Sequence, residues 1–388
     1  MKSKILLSLC ILTTVYLSSA QNLQWSKKIT QPKICQSKGL LTDANGNVYS
    51  YGSLTLDPNQ DGIPPDLTDT SGSFLQGYSS NGTILFSKRW AIPFFIEKME
   101  YDGNQYFYFA ATFVGTQIID GITIVSQGNT DGITGKMDLN GNIIWMKTFG
   151  GIGVDRANGI CFNSNDNSIY STGNIRDDLF FNNAFESTNQ QSALIIHYSA
   201  SGTLVNYRLY DFVPERDLGN INAGREICKG QGGDFFLMMD RDGVNWNGPD
   251  TVAGPIMGRY VIKLNSNLDT VWTSYITGPA CYYGWSCNSL KAAMNGDVYI
   301  ASYCSSHYGG TGALSRLNGN TGQISWNYYN TDGAYTDLII DVNTVFLIGN
   351  EGADGCPCPT NNGGYYIIKK IDENNTLIGE TRDRKSVV

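Results

Sequence analysis

A short acidic segment, residues 57–69 (DPNQDGIPPDLTD), carries the residue types and spacing that most clearly suggest chemistry. Oxygen-bearing side chains stand at its first, third and fifth positions, and a glycine follows at the sixth. Calcium takes about six to eight oxygen ligands, and glycine allows the sharp turn of such a loop. The pattern predicts a Ca²⁺ site with the ligands Asp57, Asn59, Asp61, the backbone carbonyl of Ile63, and Asp66 or Asp69.

This segment resembles the D-x-D-x-D-G-x-x-D calcium loops of thrombospondin type 3 repeats, from which it departs by one extra proline. It also departs from the EF-hand loop, because Thr68 occupies the twelfth position where that loop has glutamate. The alternative is an acidic surface loop rich in proline and glycine. Bound Ca²⁺ would make the loop rigid.

Eight cysteines lie beyond residue 20, and an even number in an exported chain permits disulfides. Three of them fall within one repeat, so we expect Cys304 to bridge either Cys281 or Cys287. Cys356 and Cys358 flank a proline in a Gly/Pro-rich stretch. They form either a bridged pair or a redox or metal-binding pair.

Cys161 and Cys228 occupy the same position of an inner strand in two successive repeats. We expect them to pack as buried apolar residues, too far apart to bridge. His197 is also predicted to be a packing residue within a strand. Tyr282, Tyr283 and Trp285 could instead stack on a sugar, although packing over the end of the fold is an equal alternative.

The element that must position these residues is a repeat, seen best at residues 131–173. It has four short apolar runs, and turn-forming stretches such as LNGN and SNDN stand between them, as in β-hairpins. The unit recurs six times. Five steps lead from the turn at Gly82 to the turn at Asn375, so the period is about 59 residues. Many second strands are apolar throughout, as expected when both faces of a sheet are buried. The pattern predicts an all-β protein, a β-propeller of four-stranded antiparallel blades with six blades readable.

Two stretches, GKMDLNGNIIWMKTFGGIGVDRANGICFNSNDNSIYSTG and GLLTDANGNVYSYG, resemble the bacterial β-propeller repeats called SBBP repeats. That pattern has K-L-D-x-x-G-N-x-x-W, then G-G, then D-x-x-G-N-V-Y-x-x-G. The resemblance extends over the mature chain, with degraded copies at 191–240 and 334–381. It implies a secreted or surface-exposed propeller repeat protein.

Turn lengths predict two different faces. The turns within the hairpins of one face are short, whereas the other face is predicted to carry long connections, where binding residues usually lie. These connections are residues 54–72, 114–131, 175–191, 211–223, 241–257, 277–286, 305–311 and 351–363.

Both ends of the chain have features that predict segments outside the propeller. Residues 1–20 have a basic start, an apolar run and small residues before position 21, as in a signal peptide, so localisation is predicted to be secreted or cell-surface. Residues 21–382 form the propeller, and residues 383–388 are predicted to be a non-native tail. The segment Leu23–Lys27 suggests a spare outer strand, so we expect a ring of seven or more blades in a longer protein.

The net charge of −8 argues against nucleic acid and anionic membranes as partners. No signature of a zinc protease, a serine hydrolase or a phosphate-binding loop is present. The sequence therefore favours a secreted non-enzymatic propeller that binds a glycan or extracellular protein through its long-loop face. The alternative is a hydrolase or lyase that uses loop carboxylates and a metal, with Asp155, Glu215 and Asp217 as candidates.

Overall fold

A computed structural model describes residues 34–55, 72–181, 184–211, 223–242, 257–276, 285–306, 309–330, 333–341, 344–351 and 365–384. They form six four-stranded antiparallel sheets arranged as the blades of a propeller. The predicted all-β class and six-bladed architecture are therefore confirmed. The predicted signal peptide, the segment Leu23–Lys27 and the tail 383–388 are not tested by this structure, and a seventh blade stays a prediction.

The strands follow one another within each sheet, and the first strands of successive sheets pack together. Sheet one contains β1 (Ile34–Thr42), β2 (Val48–Thr55), β3 (Gly72–Tyr78) and β4 (Ile84–Trp90). Sheet two contains β5 (Phe94–Tyr101) and β6 (Tyr106–Phe113), then a separate hairpin of β7 (Thr116–Ile119) and β8 (Ile122–Val125), then β9 (Asp131–Asp138) and β10 (Ile143–Phe149). Sheet three contains β11 (Arg156–Asn163), β12 (Ser168–Phe181), β13 (Ala184–Tyr198) and β14 (Leu204–Asp211).

The second half of the ring has the same organisation. Sheet four contains β15 (Ala223–Lys229), a 3₁₀ turn (Gln231–Gly233), β16 (Phe235–Asp242), β17 (Met257–Leu264) and β18 (Thr270–Ile276). Sheet five contains β19 (Trp285–Ala292), β20 (Val298–Ser306), β21 (Gly309–Leu317) and β22 (Ile324–Asn330). Sheet six contains β23 (Gly333–Asp341), β24 (Thr344–Glu351), β25 (Tyr365–Asp372) and β26 (Leu377–Arg384). Within the described ranges, no helix has the length and hydropathy that a membrane span requires.

The hairpin turns between the third and fourth strands share one geometry in five sheets, and the turn of sheet five, from Asn318 to Gln323, is one residue longer. In sheet two, Asp138 donates its N–H to the carbonyl of Asn142 and accepts the Asn142 N–H on its side chain, while Gly141 takes a φ of 78°. Aspartate, asparagine and serine make this local bond readily, and glycine adopts positive φ at little cost. The residues that begin the six turns are Ser79, Asp138, Ser199, Asn265, Asn318 and Asp372. We call the side of the ring that carries these turns the turn face, and the opposite side the loop face.

The repeated tryptophan of the fourth strand ties three of the sheets to the next one. Trp145 donates its indole N–H to the carbonyl of Ala200, in the turn of the following sheet. Trp272 and Trp326 make the same bond to Gly319 and Glu373. A Cβ added at Gly202 would lie 2.8 Å from the ring of Trp145, so the turn glycine leaves room for the indole.

Five hydrophobic clusters fill the five seams between consecutive sheets, within the part of the chain that the structure describes. The seam between sheets six and one differs. Leu40 of β1 is 66% exposed, whereas the residues at its place in the other first strands are at most 3% exposed. Those residues are Met99, Ile160, Ile227, Leu290 and Leu338. Ile339 and Ile368 of sheet six are also exposed, so this seam has less apolar contact than the others.

Three of the predicted long connections are largely strand. Residues 114–131 contain the hairpin of β7 and β8, and residues 175–191 extend β12 and β13 into a longer ribbon. Most of residues 305–311 belong to β20 and β21. These connections contain paired strands because cross-strand pairing continues beyond the four-stranded part of each sheet. Residues 56–71, 212–222, 243–256, 277–284 and 352–364 lie outside the described residues.

We predict that Trp145→Phe lowers the free energy of unfolding by about 1 kcal/mol, because it removes one hydrogen bond but keeps an aromatic ring on the turn. Trp145→Ala should cost about 3–5 kcal/mol because it also removes the packing. Urea unfolding monitored by circular dichroism measures both. Phe86 fills this position naturally in sheet one and lies 3.8 Å from the Cβ position of Gly141. Equal destabilisation by the two substitutions would contradict the role given to the hydrogen bond.

Candidate functional site: the axis and the loop face

Every first strand contains a β-bulge at the same place, which the repeat pattern did not predict. The register shifts between Ile96 and Lys98 in β5, and between Gly224 and Glu226 in β15, and the other four strands match. Bulges bend a strand and redirect its side chains. We call the six residues that follow the bulges the axial belt: Gly39, Lys98, Gly159, Glu226, Ser289 and Asp337.

A salt bridge crosses the axis within this belt. Lys98 Nζ of sheet two lies 2.6 Å from Glu226 Oε1 of sheet four, so the pair passes over sheet three. Sheet three has Gly159 in the belt, and a Cβ there would lie only 3.0 Å from the Glu226 Cα. The missing side chain of Gly159 therefore leaves the space through which Lys98 reaches Glu226.

Glu226 has two further partners in sheet five. Its Oε1 lies 3.5 Å from Lys291 Nζ, and its Oε2 accepts the backbone N–H of Leu290 at 2.7 Å. Glu226 is only 4% exposed. One carboxylate therefore joins sheets two, four and five, and it pairs with two cations.

Acceptor side chains also satisfy the backbone of neighbouring first strands, which are sheet edges. The N–H of Met99 donates to the Tyr51 hydroxyl at 3.2 Å, and the N–H of Phe162 donates to Glu100 Oε2 at 2.8 Å. Tyr51 reaches the axis because Gly39 has no side chain; a Cβ there would lie 2.5 Å from the hydroxyl. Unpaired edge groups would otherwise be open to pairing with another chain.

Solvent reaches part of this cluster. The side chains of Lys98 and Lys291 are 25% and 39% exposed, although both lie within the ring of first strands. Burial alone would raise the pKa of Glu226, but Lys98 and Lys291 hold it below its usual range. Burial raises the pKa of Glu100 to about 7, although the hydrogen bond from the Phe162 N–H acts to lower it. The two axial glutamates thus have opposite pKa shifts.

The predicted ligand-binding and metal-binding residues lie mostly outside the described residues. This holds for residues 57–69, Cys281, Tyr282, Tyr283, Cys356 and Cys358. The calcium site therefore stays a prediction. No group of three His, Cys, Asp or Glu residues suited to a metal occurs in the described ranges.

The backbone of β19 and β20 is described for the remaining site residues. Cys287 stands opposite Ser302, and Cys304 stands opposite Trp285. Cys287 and Cys304 are therefore not direct cross-strand partners, and such diagonal neighbours are about 7–8 Å apart. A bridge from Cys304 to Cys281 or Cys287 stays a prediction.

Cys161 and Cys228 are free thiols on neighbouring first strands. Burial raises the pKa of Cys161 well above its usual value and that of Cys228 to about 12, so both stay protonated and unreactive. His197 stacks on Tyr170 with ring centroids 4.2 Å apart, and burial lowers its pKa. These contacts agree with the packing roles expected from the sequence.

The carboxylates proposed for an enzyme gain no support. Asp155 is fully buried and accepts the backbone N–H groups of Gly151 and Arg176, each at 2.6 Å. Its oxygens therefore hold a turn in place rather than face a substrate. Glu215 and Asp217 lie outside the described residues.

Several solved structures are similar to this chain. A Bacteroides uniformis protein, provisionally described as a 6-phosphogluconolactonase, has a TM-score of 0.50 and 10% identity, with coverage of 90% of this chain and 84% of that one. A protein of unknown function from Bacteroides caccae has a TM-score of 0.46 and 11% identity, covering 80% and 90%. The Dos1 propeller has a TM-score of 0.45 and 11% identity, covering 89% and 85%. At such identities the likeness shows only the propeller fold.

No family model and no curated protein matches the chain. The fold expected from the SBBP resemblance is confirmed, whereas membership of that family stays a prediction.

We predict that Glu226→Gln lowers the free energy of unfolding by about 3–5 kcal/mol, because it leaves Lys98 and Lys291 without their counter-charge. Chemical denaturation at pH 7 measures the change. The matched control is Glu97→Gln, which breaks a pair with Lys38 whose side chains are 31% and 30% exposed. That change should cost under about 1 kcal/mol. An equal loss of unfolding free energy in the two variants would show that the axial pair contributes no more than an exposed pair.

We predict that Glu100 makes stability fall as pH rises. Its folded pKa of about 7 exceeds the ordinary 4.5, so the folded state binds more protons between these values. The loss should reach about 1–3 kcal/mol near pH 7 and then stay constant.

Glu100→Gln should remove this loss, so the variant should be more stable than the wild type at pH 8 and equal to it near pH 4. Glu226 provides the opposite control, since its lowered pKa gives stability above pH 4.5 that is lost as the pH falls further. Unfolding midpoints measured from about pH 2 to 8 test both. A Glu100→Gln variant with the pH profile of the wild type would refute the assignment.

Proposed function

We propose that the protein is an exported, non-enzymatic propeller that binds a glycan or an extracellular protein through its loop face. The sheet topology establishes that the chain is a propeller with six described blades. The ligand class and the binding surface are the proposal.

The observation that carries this proposal is the difference between the two faces. On the turn face, all six turns between third and fourth strands close within a few residues and bond to themselves. On the loop face, the strands lead into five connections of between eight and sixteen residues: 56–71, 212–222, 243–256, 277–284 and 352–364. Long connections on a rigid scaffold are the usual place for binding residues.

The axial cluster supports binding at the mouth of the ring rather than passage through it. Lys98, Glu226 and Lys291 meet across the axis midway along the first strands. A ligand that approaches from the loop face would therefore meet a charged floor. Both lysines pair with Glu226, so the fold holds this charged surface in place and a ligand can bind against it.

We predict that glycan-array and pull-down screens with residues 21–382 identify a ligand, and that shortening connections 241–257 and 277–286 removes its binding. The control is Met294→Ser, which changes an 85%-exposed side chain on the turn face. This variant should bind like the wild type. Binding that survives both loop deletions, or that Met294→Ser abolishes, would contradict the proposal.

A further inference from the structure

A second charged cluster lies in sheet four, near the loop face. Asp240 of β16 accepts the Nε–H of Arg225 at 2.6 Å and the Nε–H of Arg259 at 2.7 Å. One carboxylate thus holds two guanidinium groups, and the cluster carries a net positive charge. Asp240 lies near the end of β16 and Arg259 near the start of β17, so the cluster stands where connection 243–256 leaves and rejoins the sheet.

Arg225 does not have the role of its counterparts Lys38, Asn158 and Asn288 at three of the other bulges. Lys38 pairs with Glu97 of the next sheet at 2.8 Å, and Asn158 donates to the carbonyl of Gly224 at 2.9 Å. Asn288 likewise donates to the carbonyl of Tyr335. These bulged residues tie one sheet to the next, whereas Arg225 turns to a carboxylate of its own sheet.

The Nη groups of Arg225 are therefore left for another partner. They make no hydrogen bond or ion pair within the described ranges, and 39% of the side chain is exposed. Five N–H donors in a planar fork match the two oxygens of a carboxylate. The exposed part of this fork is an available carboxylate-binding group.

Arg259 is the buried arginine of this cluster. It is only 4% exposed, and its Nη1 is buried without a hydrogen-bond partner in the part of the chain that the structure describes. The charge of Arg259 balances that of Asp240, so among the residues that the structure describes the charge of Arg225 has no second counter-charge. A buried donor without an acceptor is unfavourable, so an acceptor oxygen that arrived here would remove a defect of the free protein.

We infer that Arg225, Asp240 and Arg259 form a subsite for the carboxylate of an acidic glycan, one that contains uronic acid; this inference rests on the proposed function and specifies its ligand. Arg225 contacts the ligand carboxylate, and Asp240 and Arg259 position Arg225. A glycan is favoured over an acidic peptide because Arg259 pairs with Ile276, after which the chain enters the segment that carries Tyr282 and Tyr283. Aromatic residues that follow closely in the sequence after the strand paired with Arg259 suit a sugar ring that bears a carboxylate.

The test is calorimetric titration of the full chain with a tetramer of galacturonate and with its methyl ester, which has no charge. The wild type should bind the acid form at least about tenfold more tightly than the ester. Arg225→Gln should abolish this difference, and Arg225→Lys, which keeps the charge but loses the fork, should retain only part of it. The matched control is Arg156→Gln, an exposed arginine at the start of β11, which should bind as the wild type does.

Three results would overturn the inference: no binding of the acid tetramer, equal binding of acid and ester, or unchanged binding by Arg225→Gln. Binding of polyglutamate in place of the tetramer, with the same dependence on Arg225, would assign the subsite to acidic peptides instead. Melting temperatures establish that each variant is folded, and Arg225→Lys supplies the answer if Arg225→Gln is not.

Failure of this inference is distinct from failure of the proposed function. If a neutral ligand is found and loop shortening abolishes its binding, the loop face is correct and the carboxylate subsite is wrong. If the acid tetramer binds through Arg225 and loop shortening leaves its affinity unchanged, the subsite is correct and the wider binding surface is wrong.

Discussion

The innermost strand of each sheet is an edge strand, and the structure depends on how its free backbone groups are satisfied around the axis. Open edges pair readily with other chains, and here six of them converge. Tyr51, Glu100 and Glu226 each accept a backbone N–H from the first strand of another sheet. Buried carboxylates in turn need cations, which Lys98 and Lys291 supply to Glu226. The charged axis is thus coupled to closure of the ring.

At the outside of the ring, glycine and tryptophan also connect neighbouring sheets. Trp145 lies against the turn of the following sheet, and Gly202 leaves the space for its ring. The repeat therefore encodes contacts between blades as well as hairpins within them.

The sequence predicted the six sheets and their turns, because both depend on local signals such as Asn-Gly turns and runs of β-forming residues. It did not predict the axial cluster, since Lys98 and Glu226 are 128 residues apart and meet only when sheet three leaves a gap at Gly159. Charged residues within apolar first strands, as in FIEKMEY and GREICK, were the available signal. Cross-strand pairing also extends β12 and β13 through residues 175–191, where the sequence predicted only a long connection.

The two clusters have different roles. The axial one holds the blades together, whereas the one around Asp240 presents the Nη groups of Arg225, which bond to none of the described residues, towards the loop face. The most direct test of this account is hydrogen–deuterium exchange of the chain with and without a ligand found by screening. Protection should be confined to the loop-face ends of β15, β16, β17 and β19 and to the connections that join them. Protection centred on the turn-face segments, such as 138–142 and 199–203, would contradict it.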